Sequence, residues 1–425
     1  MRVLVCDDVP ERRDEVAQRI IDSGQPKPEL IAEQELRDQL EGLFKQAREC
    51  IRNPAAFKPA DNSCFHDVDI VVIDNNLTHL PGDGPLLTAE SIAGFVRAFT
   101  NAVYIVSLNV NPDVDFDLRY LVGDFSSRAD LALNTEHLAN PALWTGDVKT
   151  AAAGFLPWYW ARLRDVADRR RAQTDFVRAR LNEPVMTILG FDGHGTELLS
   201  LHARGALSPA VGRENSAGDN VIPIDKLTFR DVFNARDRSL AIKEDREAIN
   251  EAEKKGNASL TGLIARVVAA DIDLWFRRDV LGPQEPLVDV PHLLMRFPFL
   301  LGDRAADISE WNKATSASAP PYCMEKDLYD TYLAAARFEH DEWVKSPCFW
   351  WPALKADEKL NERFMQLGDA AWADIVFCED RSQFVTLNQQ NPPVEFAAEF
   401  EGSWSRRYVS RIEKIRYAPR SRLAL

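Results

Sequence analysis

Asp7 and Asp8 close the apolar run Val3-Leu4-Val5-Cys6, and Asp74 closes the run from Val68 through Ile70-Val71-Val72-Ile73. Short runs rich in β-branched residues read as buried strands. Two such strands side by side bring their terminal acids to one edge of a sheet. Carboxylates gathered there are hard oxygen ligands of the kind Mg²⁺ takes, and that ion keeps part of its water shell for a substrate phosphate. The chemistry expected is cation binding and phosphoryl transfer, with a carboxylate as nucleophile and the cation neutralising charge.

The elements that must position these acids alternate regularly. Residues 3–6, 29–32, 68–73, 103–108 and 129–133 read as strands. Pro10 to Ile21, Leu36 to Ile51 and Leu86 to Phe99 carry apolar residues at helical spacing. Residues 113–119 read as irregular or as a short helix. This alternation predicts an α/β domain over 1–145, a doubly wound parallel five-stranded sheet with helices on both faces. Sites in such sheets lie at the carboxyl ends of the strands.

Beyond it, Trp158 to about Leu181 reads as a connecting helix within 146–184, and 185–425 as a mixed α+β output region. Within that region Val185 to Phe191 reads as a strand and Asp192-Gly193-His194-Gly195 as a tight turn. Asp237 to Lys255 reads as a polar helix, Leu260 to Val280 as an apolar one and Leu287 to Leu301 as core. A linker is expected at 313–321, a helix from Lys326 to Val344, and a strand from Ala373 to Phe377.

The first 138 or so residues resemble the receiver domain of two-component response regulators. The resemblance rests on the acidic pair Asp7-Asp8 after the first strand, Asp74 in Val-Val-Ile-Asp-Asn-Asn-Leu, and Ser107 in Tyr-Ile-Val-Ser-Leu. It implies Mg²⁺ on Asp7, Asp8, Asp74 and the backbone carbonyl of Asn76, phosphorylation of Asp74, and Ser107 as the switch hydroxyl. It further implies a histidine kinase or other signalling protein as partner. Two departures stand out. Asn134 occupies the place of the lysine that closes the family's fifth strand, and an amide brings no charge to a phosphoryl dianion. The stretch between the acidic pair and Asp74 is longer than the family's by roughly twenty residues. A phosphorylated receiver and a pseudo-receiver that uses this face for partners both remain open.

Other constellations are weaker. His194 in Asp-Gly-His-Gly and Cys378 in Ile-Val-Phe-Cys each follow a predicted strand, as the catalytic pair of caspase-like peptidases does, which leaves a regulated hydrolase as an alternative. Their separation in the chain is far longer than in those enzymes. Asp289 with His292 reads as a satisfied core pair, and Asp273 with Arg277 as an i, i+4 ion pair. No P-loop, dinucleotide fingerprint or zinc motif is present. The six cysteines are scattered and read as free thiols. A net charge of −15 argues against nucleic acid or anionic lipid as a partner, although a DNA-binding output stays as a third reading. No apolar run is long enough for a membrane span and the opening residues do not read as a secretory signal, so a cytoplasmic protein is expected. Self-association into a homo-oligomer is left open.

Overall fold

The computed structural model describes residues 1–52, 57–77, 79–80, 88–109, 129–139, 143–144, 163–191, 193–207, 223–236, 258–281, 286–313, 315, 323–366, 374–378, 383–386 and 408–410. The chain forms two compact units. One gathers Met1–Thr145, Ala161–Glu183 and Thr228–Ile272; the other gathers Gly146–Trp160, Pro184–Leu227 and Asp273–Leu425.

In the first unit, β1 (Val3–Cys6), β2 (Glu29–Leu30), β3 (Ile70–Asp74), β4 (Tyr104–Asn109) and β5 (Leu131–Asn134) build an all-parallel sheet in the order β2-β1-β3-β4-β5. β1 and β3 are apolar almost throughout and fully buried, as strands covered on both faces must be. The register runs from Val3↔Ile70 to Cys6↔Ile73 and from Ile70↔Tyr104 to Asp74↔Leu108. Between the strands lie α1 (Pro10–Asp22), α2 (Glu33–Arg52) and α3 (Ala89–Phe99). Pro10 opens α1 at a position that needs no amide donor, and Val16, Ala17 and Ile20 form its buried face. In α2 the stripe Leu36, Leu40, Leu43 and Ala47 is buried, and Phe44 meets Phe95 of α3 edge to face at 4.8 Å. A reciprocal pair of bonds between Thr88 and Ser91 caps α3. The α/β reading of this region holds. The segment 113–119 lies outside the described residues.

The helix expected as a connector is α4 (Leu163–Arg178), and it packs against β4 within the first unit. Its buried positions Leu163, Val166, Ala167, Arg170, Gln173, Thr174 and Val177 follow one helical face. Arg170 ties that face to the sheet: its guanidinium donates to Asp130 Oδ1 at 2.7 Å. Arg97 grips the same carboxylate at 3.1 and 2.8 Å, and the Ile105 amide donates to it at 2.8 Å. Two further helices, α5 (Phe229–Arg236) and α6 (Ala258–Trp275), belong to this unit, with the last residues of α6 in the second.

The second unit contains β6 (Leu287–Asp289) leading into α7 (Val290–Arg296), then β7 (Arg337–His340), β8 (Val344–Trp350), β9 (Ile375–Cys378), β10 (Gln383–Thr386) and β11 (Tyr408–Ser410). They form two antiparallel three-stranded sheets, ordered β6-β8-β7 and β10-β9-β11. Phe191 sits among Trp275, Phe276, Phe338 and Trp350 with ring centroids 5.0 to 5.7 Å away. The expected strand at Val185 to Phe191 is instead a helical turn, Val185–Ile188, closed by Gly190 at φ +80°. A short apolar run suits either state, and Pro184 before it with a left-handed glycine after it selects the helix. The expected helix from Lys326 to Val344 stops at Ala336, because Arg337 to His340 pairs with β8 and inserts Phe338 into the aromatic cluster. The segment Leu287 to Leu301 is buried nearly throughout, as expected. Residues 237–250, 251–257 and most of 313–321 lie outside the described residues. No helix among the described residues is long and apolar enough to cross a membrane.

Candidate metal centre

β1 and β3 are neighbours in the sheet, but the chain leaves them toward opposite edges, to β2 and to β4. The carboxyl ends of two strands that part in this way border a crevice. Asp7, Asp8 and Asp74 stand there. Each offers an oxygen within 4.8 Å of the others, and they are only 3%, 3% and 4% exposed. The strands hold them because the residues behind each acid are pinned in the core by the sheet register.

Each carboxylate is only partly satisfied. Asp7 Oδ1 accepts from the Val9 amide at 2.8 Å. Asp74 Oδ2 accepts from the Asn76 amide at 3.4 Å. Asp8 Oδ2 accepts from the His79 amide, and His79 Nδ1 stands 3.7 Å away. Asp8 Oδ1 is buried with no hydrogen-bond partner among the described residues. Burial, reinforced by the charges of Asp7 and Asp8 and opposed by the Asn76 amide and Arg12, pushes Asp74 up to about 7. Burial also raises Asp7, with Asp8 adding to it and the Val9 amide, Arg12 and Arg13 opposing. Buried anions this close repel one another strongly. A small hard cation relieves that repulsion and gives the orphan oxygen a partner, so the donor set fits Mg²⁺.

The remaining residues of the reading fall nearby or elsewhere. Asn76 lies two residues past Asp74 and bridges to Thr88. Ser107, buried in β4, is in register with Ile73, one position before Asp74. Asn134 ends β5, in register with Asn109 of β4; its side chain lies outside the described set. His194 does not end a strand. It opens a short helix, His194–Leu198, after Gly193 at φ +57°, with a helical turn rather than a strand before it. The peptidase-like placement therefore fails at its histidine. Cys378 does end β9, and the side chains of both residues lie outside the described set.

Asp289 and His292 form the expected buried pair, with Nδ1 to Oδ1 at 2.6 Å and Oδ1 also accepting from the His292 amide to cap α7. Arg277 pairs with Asp273 at 2.9 Å. Cys348 faces Asp289 across the strands, and burial pushes its thiol well up, so it is not an activated nucleophile. Cys6, Cys50, Cys64, Cys323 and Cys348 are all free.

Two residues beside the acids were not singled out by sequence reading. His79 reaches Asp8 from the loop after Asp74, and nothing in its local pattern marks it. Arg12 had a signal: it lies in the first turn of the helix that follows the acidic pair. No family model matches the chain, and neither a curated protein nor a solved structure matches it.

Proposed function

We propose that the first unit is a receiver-like signalling domain that binds Mg²⁺ through Asp7, Asp8, Asp74 and the Asn76 carbonyl and accepts a phosphoryl group on Asp74. The observation that carries this reading is the set of three buried carboxylates at the crevice between β1 and β3. The strand order β2-β1-β3-β4-β5 is the one found in flavodoxin-like proteins, receivers among them. When bound, the cation neutralises charge on the transferring phosphoryl group.

This chain's own residues do the rest. An oxygen of Asp74 attacks phosphorus, a new O–P bond forms, and the donor's bond to phosphorus breaks with its electron pair leaving on the donor. Asp7 and Asp8 hold the cation. On this reading Ser107, buried in the neighbouring strand β4, donates its hydroxyl to a phosphoryl oxygen and carries the change into β4. A histidine kinase or another phosphodonor protein is the partner on this reading, the second unit is the output, and the protein is cytoplasmic.

The test is calorimetric titration with Mg²⁺, then beryllofluoride in its presence, on wild type and Asp74→Asn. The reading expects both ligands to bind wild type and neither to bind the variant with comparable affinity. Mg²⁺ binding without beryllofluoride would leave a pseudo-receiver whose face serves partners, a reading the uncharged Asn134 at the end of β5 favours. No Mg²⁺ binding by wild type would overturn the metal centre itself.

A further inference from the structure

A phosphoryl dianion on Asp74 would sit beside Asp7 and Asp8, and a divalent cation offsets only part of the charge gathered there. β5 ends in the uncharged Asn134. α1 begins at Pro10, one residue after the Asp8-Val9 step, so its amino end lies beside the crevice. Arg12 is in its first turn and is exposed. Side chains on a helix lean toward the amino end, and the amino end of α1 is the one that follows the acidic pair. Its neighbour Arg13 is committed elsewhere, donating to the Ile31 carbonyl at 2.8 Å with Asp14 at 3.9 Å. Arg12 makes no close ion pair among the described residues, yet its charge acts on the carboxyls of both Asp7 and Asp74. Asp8 Oδ1, buried and unpartnered, is the independent sign that the crevice awaits a ligand.

We infer that Arg12 is the cationic contact for the oxyanion carried by Asp74, supplied from α1 because β5 ends in an uncharged residue; this rests on the reading of Asp74 given above. A guanidinium binds phosphoryl oxygens through charge-assisted, paired N–H donors. It also repels the metal. Arg12 therefore has opposite effects on the two ligands of one site, strengthening the anion and weakening the cation.

That sign difference is the test. Full-length wild type, Arg12→Ala, Arg12→Lys and Arg12→Glu are titrated with Mg²⁺ alone and with beryllofluoride at saturating Mg²⁺. Arg12→Ala is expected to bind Mg²⁺ at least as tightly as wild type and beryllofluoride about tenfold more weakly. Arg12→Lys recovers part of the loss, and Arg12→Glu tightens Mg²⁺ further while beryllofluoride binding disappears. Equal beryllofluoride affinity in wild type and Arg12→Ala overturns the inference and leaves the Asp74 reading standing. A parallel loss of both ligands in Arg12→Ala overturns it as well, by making Arg12 a structural residue. Failure of wild type to bind beryllofluoride overturns the Asp74 reading, and this inference with it.

Discussion

Burial and the charges of Asp7 and Asp8 hold Asp74 at about 7, against an ordinary 3.8. The folded protein without metal therefore keeps a proton that the unfolded chain has already released. Stability from that proton is fully present below the unfolded value and is lost as pH rises through the folded one, from about 4 to about 7. A cation competes with the proton for the same oxygens, so Mg²⁺ should stabilise the fold more at pH 8 than at pH 6. In Asp74→Asn the titration is gone. Without metal the variant should melt above wild type at pH 8, by an amount that shrinks toward pH 5, and Mg²⁺ should raise its melting temperature far less. Thermal unfolding of the two proteins across this range, with and without Mg²⁺, measures this. A constant difference between them at all pH values would refute the linkage. Cys6 behaves differently: burial also raises its pKa, but the apolar β1 surrounds it and the thiol stays neutral.

At the scale of elements, α4 is held to the sheet by charge as well as by its apolar face. Burial opposes ionisation of Asp130, but Arg170 and Arg97 outweigh it and bring the carboxyl below its ordinary value. Its contribution to stability is present above the unfolded pKa and is lost as pH falls through the folded one. Asp130→Asn leaves two guanidiniums buried around an uncharged partner, which should cost about 3–5 kcal/mol. The urea midpoint of the variant measures this, and a midpoint within error of wild type would mean that water relieves the pair. Of Arg169, Arg170 and Arg171, the structure buries Arg170, on the face that the helical spacing of α4 turns inward. Its partner cannot be read from helical spacing, because Asp130 is forty residues earlier in the chain. The turn at Val185–Ile188 shows the reverse limit, where a short, mostly apolar run fits two local structures and the neighbouring proline and glycine decide between them.

At the scale of the molecule, the two units are interleaved along the chain. Residues Thr228–Ile272 join a unit whose sheet ends before residue 145. Loop closure costs entropy slowly with length, so nothing local marks such a return. Arg266 illustrates it: its guanidinium donates to the Arg97 and Ala98 carbonyls at 3.4 and 3.3 Å, at the carboxyl end of α3 where a cation is favoured. Metal binding should register within this unit. Hydrogen exchange is expected to slow on Mg²⁺ addition at residues 6–9 and 74–77, the amides bordering the acids, and to be unchanged there in Asp74→Asn. Slowing spread evenly over all peptides of wild type would point to nonspecific cation binding by a chain of charge −15.

The sequence by itself determined the strands that carry Asp7, Asp8 and Asp74, because an apolar run ending in an acid has one buried solution in a parallel sheet. It also determined the helices α1 to α3, through their apolar stripes and the proline that opens α1. Only the tertiary structure decided that β1 and β3 are adjacent and bring the three acids within 4.8 Å. Strand order depends on contacts between residues far apart in the chain, and no local pattern encodes them. The same holds for the Arg97-Asp130-Arg170 clamp and for the orphan oxygen of Asp8. Each arises from where a side chain comes to rest after burial has removed water from around it.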